Sequence, residues 1–146
     1  MLTEAKLYKL AASLRGRLLR PADGEYEEAR KIWNAMIDRR PAVIVRCVAA
    51  ADVAQAVLFA RENNLVVAVR GGGHSVAGNA VCDGGLMIDL SQMKEIIVDG
   101  ARQRAEAQPG ATLADFDAAT QATGLATTMG TVSMTGIAGL TLGGGI

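Results

Sequence analysis

The decapeptide VRGGGHSVAG at residues 69–78 places three consecutive glycines directly after the apolar run Leu65–Val69. That run is rich in Val and is predicted to be a β-strand, so the glycines lie at its carboxyl end. Glycine is typical of places where φ is positive or where another group approaches the backbone closely. Successive backbone N–H groups in such a run can turn toward one point and bind an anion, and Arg70 adds positive charge there. A second glycine-rich stretch at residues 130–145 indicates a ligand held between two loops, with two ordinary turn regions as the alternative.

The elements before this loop form a strand–helix–strand pattern. Ala42–Val48 is a short β-branched run typical of a buried strand, and Val53–Asn63 carries apolar residues at helical spacing. Asp52 is predicted to cap that helix. With Leu65–Val69 as the second strand, the pattern predicts a right-handed βαβ unit. Open α/β sheets bind ligands at the carboxyl ends of such strands, where the glycine loop begins.

Further elements are predicted on both sides of this unit. Apolar residues at three- and four-residue spacing predict a helix over Thr3–Leu19, which Pro21–Gly24 ends, and a second helix is predicted over Glu25–Ile37. Residues 125–146 show no helical period and are expected to be loop or closely packed small-residue backbone. The other predicted elements are strands at Gly85–Leu90, Lys94–Val98 and Arg102–Ala107, and a helix at Leu113–Thr123 capped by Thr112 and ended by Gly124.

Composition excludes several classes of protein. A chain of 146 residues, 50% hydrophobic and 21% charged, is long enough for one compact domain. Fifteen basic residues balance fifteen acidic ones, which is unlike a nucleic-acid-binding domain. No apolar run is long enough to span a bilayer, and residues 1–20 carry charges where a signal peptide needs an apolar core, so we expect a cytoplasmic protein with no membrane partner. A single histidine excludes a His-rich metal site, and Cys47 and Cys82 lack CxxC spacing, so no metal site is predicted.

The two best-known phosphate motifs are absent. The chain has no GxGxxG, and the P-loop interval from Gly73 to Gly78 is followed by Asn79-Ala80 where Lys-Ser or Lys-Thr is required. These residues therefore exclude a dinucleotide site of the usual Rossmann kind and a P-loop nucleotide hydrolase. They leave an unspecified phosphate or pyrophosphate ligand.

His74 stands inside the glycine loop and has more than one possible role. A loop histidine often does no more than form hydrogen bonds, and the functional alternatives are a general base, a single metal ligand, or a nucleophile toward a bound cofactor. Asp83 and Asp89 are the nearby carboxylates that can orient it.

Two motifs in the same order resemble FAD-linked oxidases of the p-cresol methylhydroxylase (PCMH) and vanillyl-alcohol oxidase type, and most closely the berberine bridge enzyme-like branch. The first motif is residues 69–78 followed by GGLMIDLS at 84–91; the second is GLA at 124–126, then GTVSMTGIAG at 130–139 and GGG at 143–145. The likeness covers about residues 41–146. It implies an α+β, two-subdomain PCMH-type FAD-binding fold, with residues 41–146 as its first part after an N-terminal helical segment at residues 1–40.

The resemblance also implies FAD as cofactor. In such proteins the glycine loop wraps the FAD pyrophosphate, and the histidine of the motif, here His74, commonly bonds to the 8α-methyl carbon of the flavin. The cysteine that gives some members a second flavin bond would fall near Val132, so a single bond through His74 is expected. The implied cofactor-binding residues are Arg70, Gly71, Gly72, Gly73, His74, Ser75, Gly78, Leu90, Ser91, Gly130, Thr131, Ser133, Thr135, Gly136, Gly139, Gly143 and Gly144.

By the same resemblance the function is that of an FAD-dependent oxidoreductase. It would oxidise a small organic substrate by hydride transfer to FAD, with dioxygen as the expected acceptor. The catalytic base and the substrate domain are expected beyond Ile146, so this chain alone is expected to be inactive. Two alternatives stay open from the residues alone: a non-catalytic phosphate- or nucleotide-binding α/β module, and a structural domain whose glycines only form turns.

Overall fold

A computed structural model describes residues 2–144 of the protein. In chain order the elements are α1 (Glu4–Ser13), β1 (Arg17–Leu19), α2 (Tyr26–Ala29), β2 (Val43–Arg46), α3 (Ala50–Glu62), β3 (Val67–Arg70), β4 (Leu86–Asp89), β5 (Ile96–Asp99), β6 (Arg104–Ala107), α4 (Leu113–Gln121) and α5 (Ile137–Gly143). None of the helices in this range combines the length and the apolar character needed to cross a membrane.

A four-stranded sheet carries the first glycine loop. Its strand order is β1-β2-β4-β3; β2 and β3 both run parallel to β4, and β1 runs antiparallel to β2. The two strands of the predicted βαβ unit are therefore not neighbours, because β4 pairs between them, with Leu86 opposite both Val43 and Val67. The loop after β3 consequently starts at an edge of the sheet.

Both faces of this sheet are covered, and the side chains of its central strands alternate accordingly. Val43, Val45, Leu86 and Ile88 pack with α1 and α3 on one face. On the other face Ile44 and Met87 form a second cluster. The partners of that second cluster are Leu19, Tyr26, Ala29 and Val81.

A smaller unit follows the sheet. Strands β5 and β6 form an antiparallel pair, with α4 beside β5. Helix α4 begins as predicted at the cap Thr112, whose hydroxyl oxygen accepts from the Asp115 N–H at 3.3 Å. Asp115 in turn accepts the Thr112 N–H at 2.9 Å, and this bond holds the pKa of the Asp115 carboxyl below its ordinary value. This reciprocal pair is a capping box, and it fixes where α4 starts.

The predicted N-terminal helix over Thr3–Leu19 is wrong in its last third. Helix α1 ends at Ser13, and Arg17–Leu19 is strand β1. The chain reverses at Gly16, where an added Cβ would overlap the carbonyl oxygen of Arg46 in β2. Strand pairing to β2 therefore replaces the helix that the local apolar spacing favours.

Asp52 does not occupy the N-cap of α3, contrary to the prediction. The N-cap is Ala49, and Asp52 stands three residues further on, in the first turn. Its side chain is only 1% exposed. Although burial raises the pKa of its carboxyl, the backbone N–H groups that it accepts lower that pKa by more, so the net shift is downward. The donors are the N–H groups of Val48 at 2.9 Å, Arg15 at 2.8 Å, Ala49 at 3.2 Å and Gly16 at 3.2 Å.

Two other predictions differ from the structure. The helix predicted over Glu25–Ile37 is limited to the single turn α2. In a continued helix the Trp33 N–H would donate to the Ala29 carbonyl, but it donates to the Gly73 carbonyl at 3.0 Å, and the Ala29 carbonyl accepts from Arg70 Nη1 at 2.7 Å. Residues 125–146 were expected to lack a helix, yet Ile137–Gly143 forms α5. Helix α5 is supported by tertiary packing, since Ile137 is buried against Leu113 and Phe116 of α4. Gly145 and Ile146 lie outside the described residues.

Candidate cofactor site

The first glycine loop leaves the carboxyl end of β3 and turns back within ten residues. Gly73 and Gly78 adopt φ values of +72° and +76°, which residues with a side chain rarely adopt. The turn closes where the Gly78 N–H donates to the Ser75 carbonyl at 3.0 Å and the Asn79 N–H donates to the Ser75 hydroxyl at 3.1 Å. Glycine is thus required at residues 73 and 78 for backbone conformation.

The two glycine-rich stretches meet backbone to backbone. A Cβ added to Gly72 would overlap the Cα and N atoms of Gly136, and a Cβ added to Gly136 would lie 2.6 Å from the Gly72 Cα. Neither position has room for a side chain, so glycine is required at residues 72 and 136 for close approach. This contact confirms that the two loops lie together, as their composition predicts.

The second stretch is held in place from the opposite side by the start of α4. The Leu113 N–H donates to the Thr135 carbonyl at 3.0 Å, and the Ile137 N–H donates to the Ala111 carbonyl at 3.0 Å. A β-bridge between Thr112 and Gly136 lies between these two bonds. These contacts fix the backbone at residues 135–137 against the start of α4.

Between the two loops lies a cleft of about 400 Å³. Eight of the predicted cofactor-binding residues line it: Gly71, Gly72, Gly73, His74, Ser75, Thr135, Gly136 and Gly139. Sequence reasoning missed four further lining residues, which are Val69, Asn79, Ala80 and Leu140. Asn79 and Ala80 directly follow the motif and had a local signal, whereas Leu140 lies on α5, whose helical conformation is not evident from the sequence.

The other predicted site residues do not line this cleft. Gly130 and Gly144 line a second depression of about 460 Å³, and Leu140 lines both. Leu90 is buried, and its N–H donates to the Arg70 carbonyl at 2.9 Å, which ties the end of β4 to the end of β3. The remaining predicted residues that do not line the cleft are Gly78, Ser91, Thr131, Ser133 and Gly143.

His74 lines the cleft, and its imidazole is oriented by the loop itself. Its Nδ1 lies 3.1 Å from the Gly72 carbonyl oxygen, and because a carbonyl only accepts, Nδ1 carries the proton in this contact. The other ring nitrogen, Nε2, is buried and has no hydrogen-bond partner among the described residues. The indole of Trp33 stacks beside the imidazole, with ring centroids 5.8 Å apart and an angle of 22° between the planes.

Neither nearby carboxylate orients His74. Asp83 accepts the Arg40 N–H at 2.8 Å, and Asp89 accepts from Arg46 Nε at 3.3 Å. Among residues 2–144 the imidazole therefore has no carboxylate partner of the kind that a His–Asp general base has. This arrangement favours a role as nucleophile or ligand contact.

Arg70 lies beside the loop, outside the cleft lining. Its Nη1 donates to the Ala29 carbonyl at 2.7 Å, and its Nε is 3.3 Å from where a Cβ on Gly73 would stand. Nε is buried without a hydrogen-bond partner among the described residues. The guanidinium thus supplies positive charge close to the glycine backbone, as the anion-binding interpretation requires.

The two cysteines are buried thiols outside the cleft lining. Burial raises the pKa of Cys47 to about 12, and burial also raises the pKa of Cys82. Thiols in this state are poor nucleophiles. The structure therefore offers no activated cysteine at the cleft within residues 2–144.

This fold and cleft correspond to a known family. Residues 41–146 match the FAD binding domain family. The chain belongs to that family. It is 37% identical to (R)-6-hydroxynicotine oxidase of Paenarthrobacter nicotinovorans, over 92% of this chain and 29% of that protein. It is 41% identical to an FAD-linked oxidoreductase of Dictyostelium discoideum, again over 92% of this chain and 29% of that protein.

Solved structures of similar proteins agree with the fold. The crystal structure of 6-hydroxy-D-nicotine oxidase from Arthrobacter nicotinovorans gives a TM-score of 0.85 at 36% identity, covering 88% of this chain and 28% of that one. BBE-like 1 of Physcomitrella patens gives 0.85 at 28% identity, covering 92% of this chain and 30% of that one. The α+β FAD-binding fold and the resemblance to berberine bridge enzyme-like oxidases are thereby confirmed. The chain spans about 30% of the length of the curated relatives it matches.

The residues present fit FAD. Glycine backbone at residues 71–73, 136 and 139 lines the cleft, so a pyrophosphate bound there would meet peptide groups rather than side chains. One buried polar atom of a residue that lines the cleft, His74 Nε2, has no partner within residues 2–144. Buried polar atoms without partners are rare in folded proteins, and a bound cofactor supplies such partners.

Proposed function

We propose that this chain forms the first part of the FAD site of a flavin-dependent oxidoreductase, which oxidises a small organic substrate by hydride transfer to FAD with dioxygen as acceptor. The observation that carries the proposal is the cleft between the two glycine loops, where the Gly72 and Gly136 backbones touch and His74 lines the wall. The family match and the oxidoreductases among the relatives support it.

Each part of the cleft has a separate task in this proposal. The glycine backbone at residues 71–73 binds the pyrophosphate through N–H groups, and the Arg70 guanidinium offsets its negative charge. Residues 135–139 close the opposite side of the cleft. When bound, FAD supplies the two-electron redox chemistry, so this part of the protein positions the cofactor and contributes no acid or base.

His74 is proposed to hold the flavin covalently through a single bond. A C–N bond replaces one C–H bond of the 8α-methyl group and the N–H bond of the imidazole. The two protons and two electrons released would be taken up by oxidised FAD, whose redox chemistry would pass them on to dioxygen as hydrogen peroxide. The imidazole suits this role because no carboxylate or charged side chain engages its nitrogens among the described residues.

Peptide mapping by mass spectrometry tests the proposal directly. The longest reading frame that contains this sequence is purified, denatured in acid and digested, and the peptide that holds His74 is expected to carry an FAD-derived mass. The His74→Ala variant is expected to lose that adduct while it retains dissociable FAD. Cys82→Ser is the matched control and is expected to keep the adduct, because Cys82 does not line the cleft.

Other results would change the assignment. Dissociable FAD without an adduct in the wild type would contradict the bond to His74 and leave the FAD site standing. Absence of FAD in any form, with phosphate or a nucleotide bound instead, would favour a non-catalytic binding module. Substrate turnover by a wild-type protein without flavin would refute the proposed function altogether.

A further inference from the structure

Residues 29–39, named here the brace segment, hold the glycine loop although they precede the part of the chain that matches the family, residues 41–146. The Trp33 N–H donates to the Gly73 carbonyl at 3.0 Å. Further along, Asn34 Nδ2 donates to the Val76 carbonyl at 2.8 Å. The brace segment therefore binds the loop through its backbone carbonyl oxygens. These bonds do not depend on which side chains the loop carries.

The far end of the loop is held in the same way. Arg39 Nη1 donates to the carbonyl oxygens of Gly78 at 3.0 Å and Val81 at 3.2 Å. Ile37 packs where a Cβ on Gly78 would lie. Together with the bond from Arg70 to the Ala29 carbonyl, these contacts attach both ends and the middle of the loop to one segment.

Within the brace segment, Trp33 has a special relation to His74. The centroid separation of 5.8 Å and the 22° angle are those of an offset aromatic pair. Trp33 is nevertheless 61% exposed, so its indole is not a core side chain. Its position has a local explanation, since its own N–H bonds to the residue immediately before His74.

The imidazole is thus restrained twice. The Gly72 carbonyl engages Nδ1, and the Trp33 ring lies beside the plane of the imidazole. A ring restrained at an edge and on a face has little freedom to rotate about its side-chain bonds. Covalent bond formation is fastest when the reacting groups are held in position beforehand.

We propose that Trp33 is a positioning residue that holds the His74 ring in the orientation from which it bonds to the flavin. This inference rests on the proposed covalent role of His74. It assigns a task to a residue outside the matched family region, and it accounts for an exposed tryptophan beside the cleft.

The experiment measures how fast covalent flavin forms. The longest reading frame that contains this chain is produced in flavin-depleted cells and mixed with FAD, and acid-insoluble flavin is followed over time beside the total FAD bound. Trp33→Leu is expected to slow attachment by about twofold to tenfold, the range that one aromatic pair converts to, with total FAD binding unchanged. Trp33→Phe is expected to restore the rate, because it keeps an aromatic ring.

The control is Met36→Ala, which removes another exposed apolar side chain of the brace segment, 91% exposed, and is expected to leave the rate unchanged. Equal rates for Trp33→Leu and Trp33→Phe would overturn the proposal, as would a Trp33→Leu rate equal to that of the wild type. If Trp33→Leu fails to fold, a Trp33→Phe rate well below the wild-type rate overturns it and a wild-type rate supports it. A wild type with no covalent flavin would overturn both this inference and the covalent role of His74. Covalent attachment at the same rate in the wild type and in Trp33→Leu would overturn this inference alone.

Discussion

Gly136 offers the most direct test of the contact between the two loops. Its φ of −72° and ψ of 129° are ordinary for any residue, so Gly136→Ala introduces no backbone strain of its own. The added Cβ would lie 2.4 Å from the Gly72 N and 2.6 Å from the Gly72 Cα, where ordinary contact begins at 3.4 Å. Because the obstacle is backbone and not a flexible side chain, the two loops must separate by about 1.0 Å or more.

This separation has a cost in stability and in cofactor binding. Overpacking of this size costs about 1–3 kcal/mol of unfolding free energy. FAD affinity is expected to fall roughly tenfold or more, which corresponds to about 1.4 kcal/mol, because the separated cleft walls can no longer both contact the cofactor. The assay pairs urea denaturation with titration of FAD, followed by flavin fluorescence, in the longest reading frame that contains this chain.

Gly24→Ala provides the control, since an added Cβ there meets nothing within 4 Å and Gly24 lines neither the cleft nor the second depression. We expect it to bind FAD as the wild type does. Unchanged FAD affinity and unchanged stability in Gly136→Ala would refute the argument that backbone contact shapes the site. Loss of stability with unchanged FAD affinity would show that the contact serves the fold only.

Two further predictions concern buried groups away from the cleft. Replacing Asp52 by Asn removes a charged acceptor for four backbone N–H groups and is expected to cost about 2 kcal/mol at pH 7. The folded-state pKa of Asp52 is lowered, so this contribution is fully present above the unfolded value of about 3.9 and is lost as pH falls through the folded value. Urea denaturation at pH 7, 5 and 3 checks it, and a wild-type advantage that persists undiminished at pH 3 would contradict it. Cys47, with its pKa raised to about 12, is expected to resist a thiol reagent at pH 8 in the native protein and to react on denaturation; rapid reaction in the native state would disprove its burial.

Local patterns predicted the elements that are long or buried on a regular period. The positions of α3, α4 and the strands from β2 to β6 are confirmed within a few residues, because apolar periodicity, turn residues and caps are local signals. Strand β1 and helix α5 were not predicted, because each is stabilised by a partner elsewhere in the chain and not by a local signal. β1 exists because it pairs with β2, and α5 is supported by α4.

The order of strands in the sheet was also beyond local reasoning. A strand–helix–strand pattern predicts two parallel strands and a crossover, but it does not say whether a third strand will pair between them. Here β4, which comes after the glycine loop, occupies the central position. Its four residues are all buried, a pattern that indicates a central strand only once the partners are known.

The sequence likewise reveals some features of the site and gives no sign of others. Where two backbones touch, as at Gly72 and Gly136, neither residue can carry a side chain, so both must be glycine and the requirement is evident in the sequence. The brace segment also shapes the loop, but it donates from a backbone N–H and from amide and guanidinium groups to carbonyl oxygens, and donors of these kinds are common throughout proteins. Close backbone approach therefore demands glycine and produces a recognisable motif. A hydrogen bond from the backbone N–H of Trp33 demands no particular residue, so the sequence carries no signal of it. It follows that substitutions in the brace segment can alter how His74 is presented while the glycine motif stays intact.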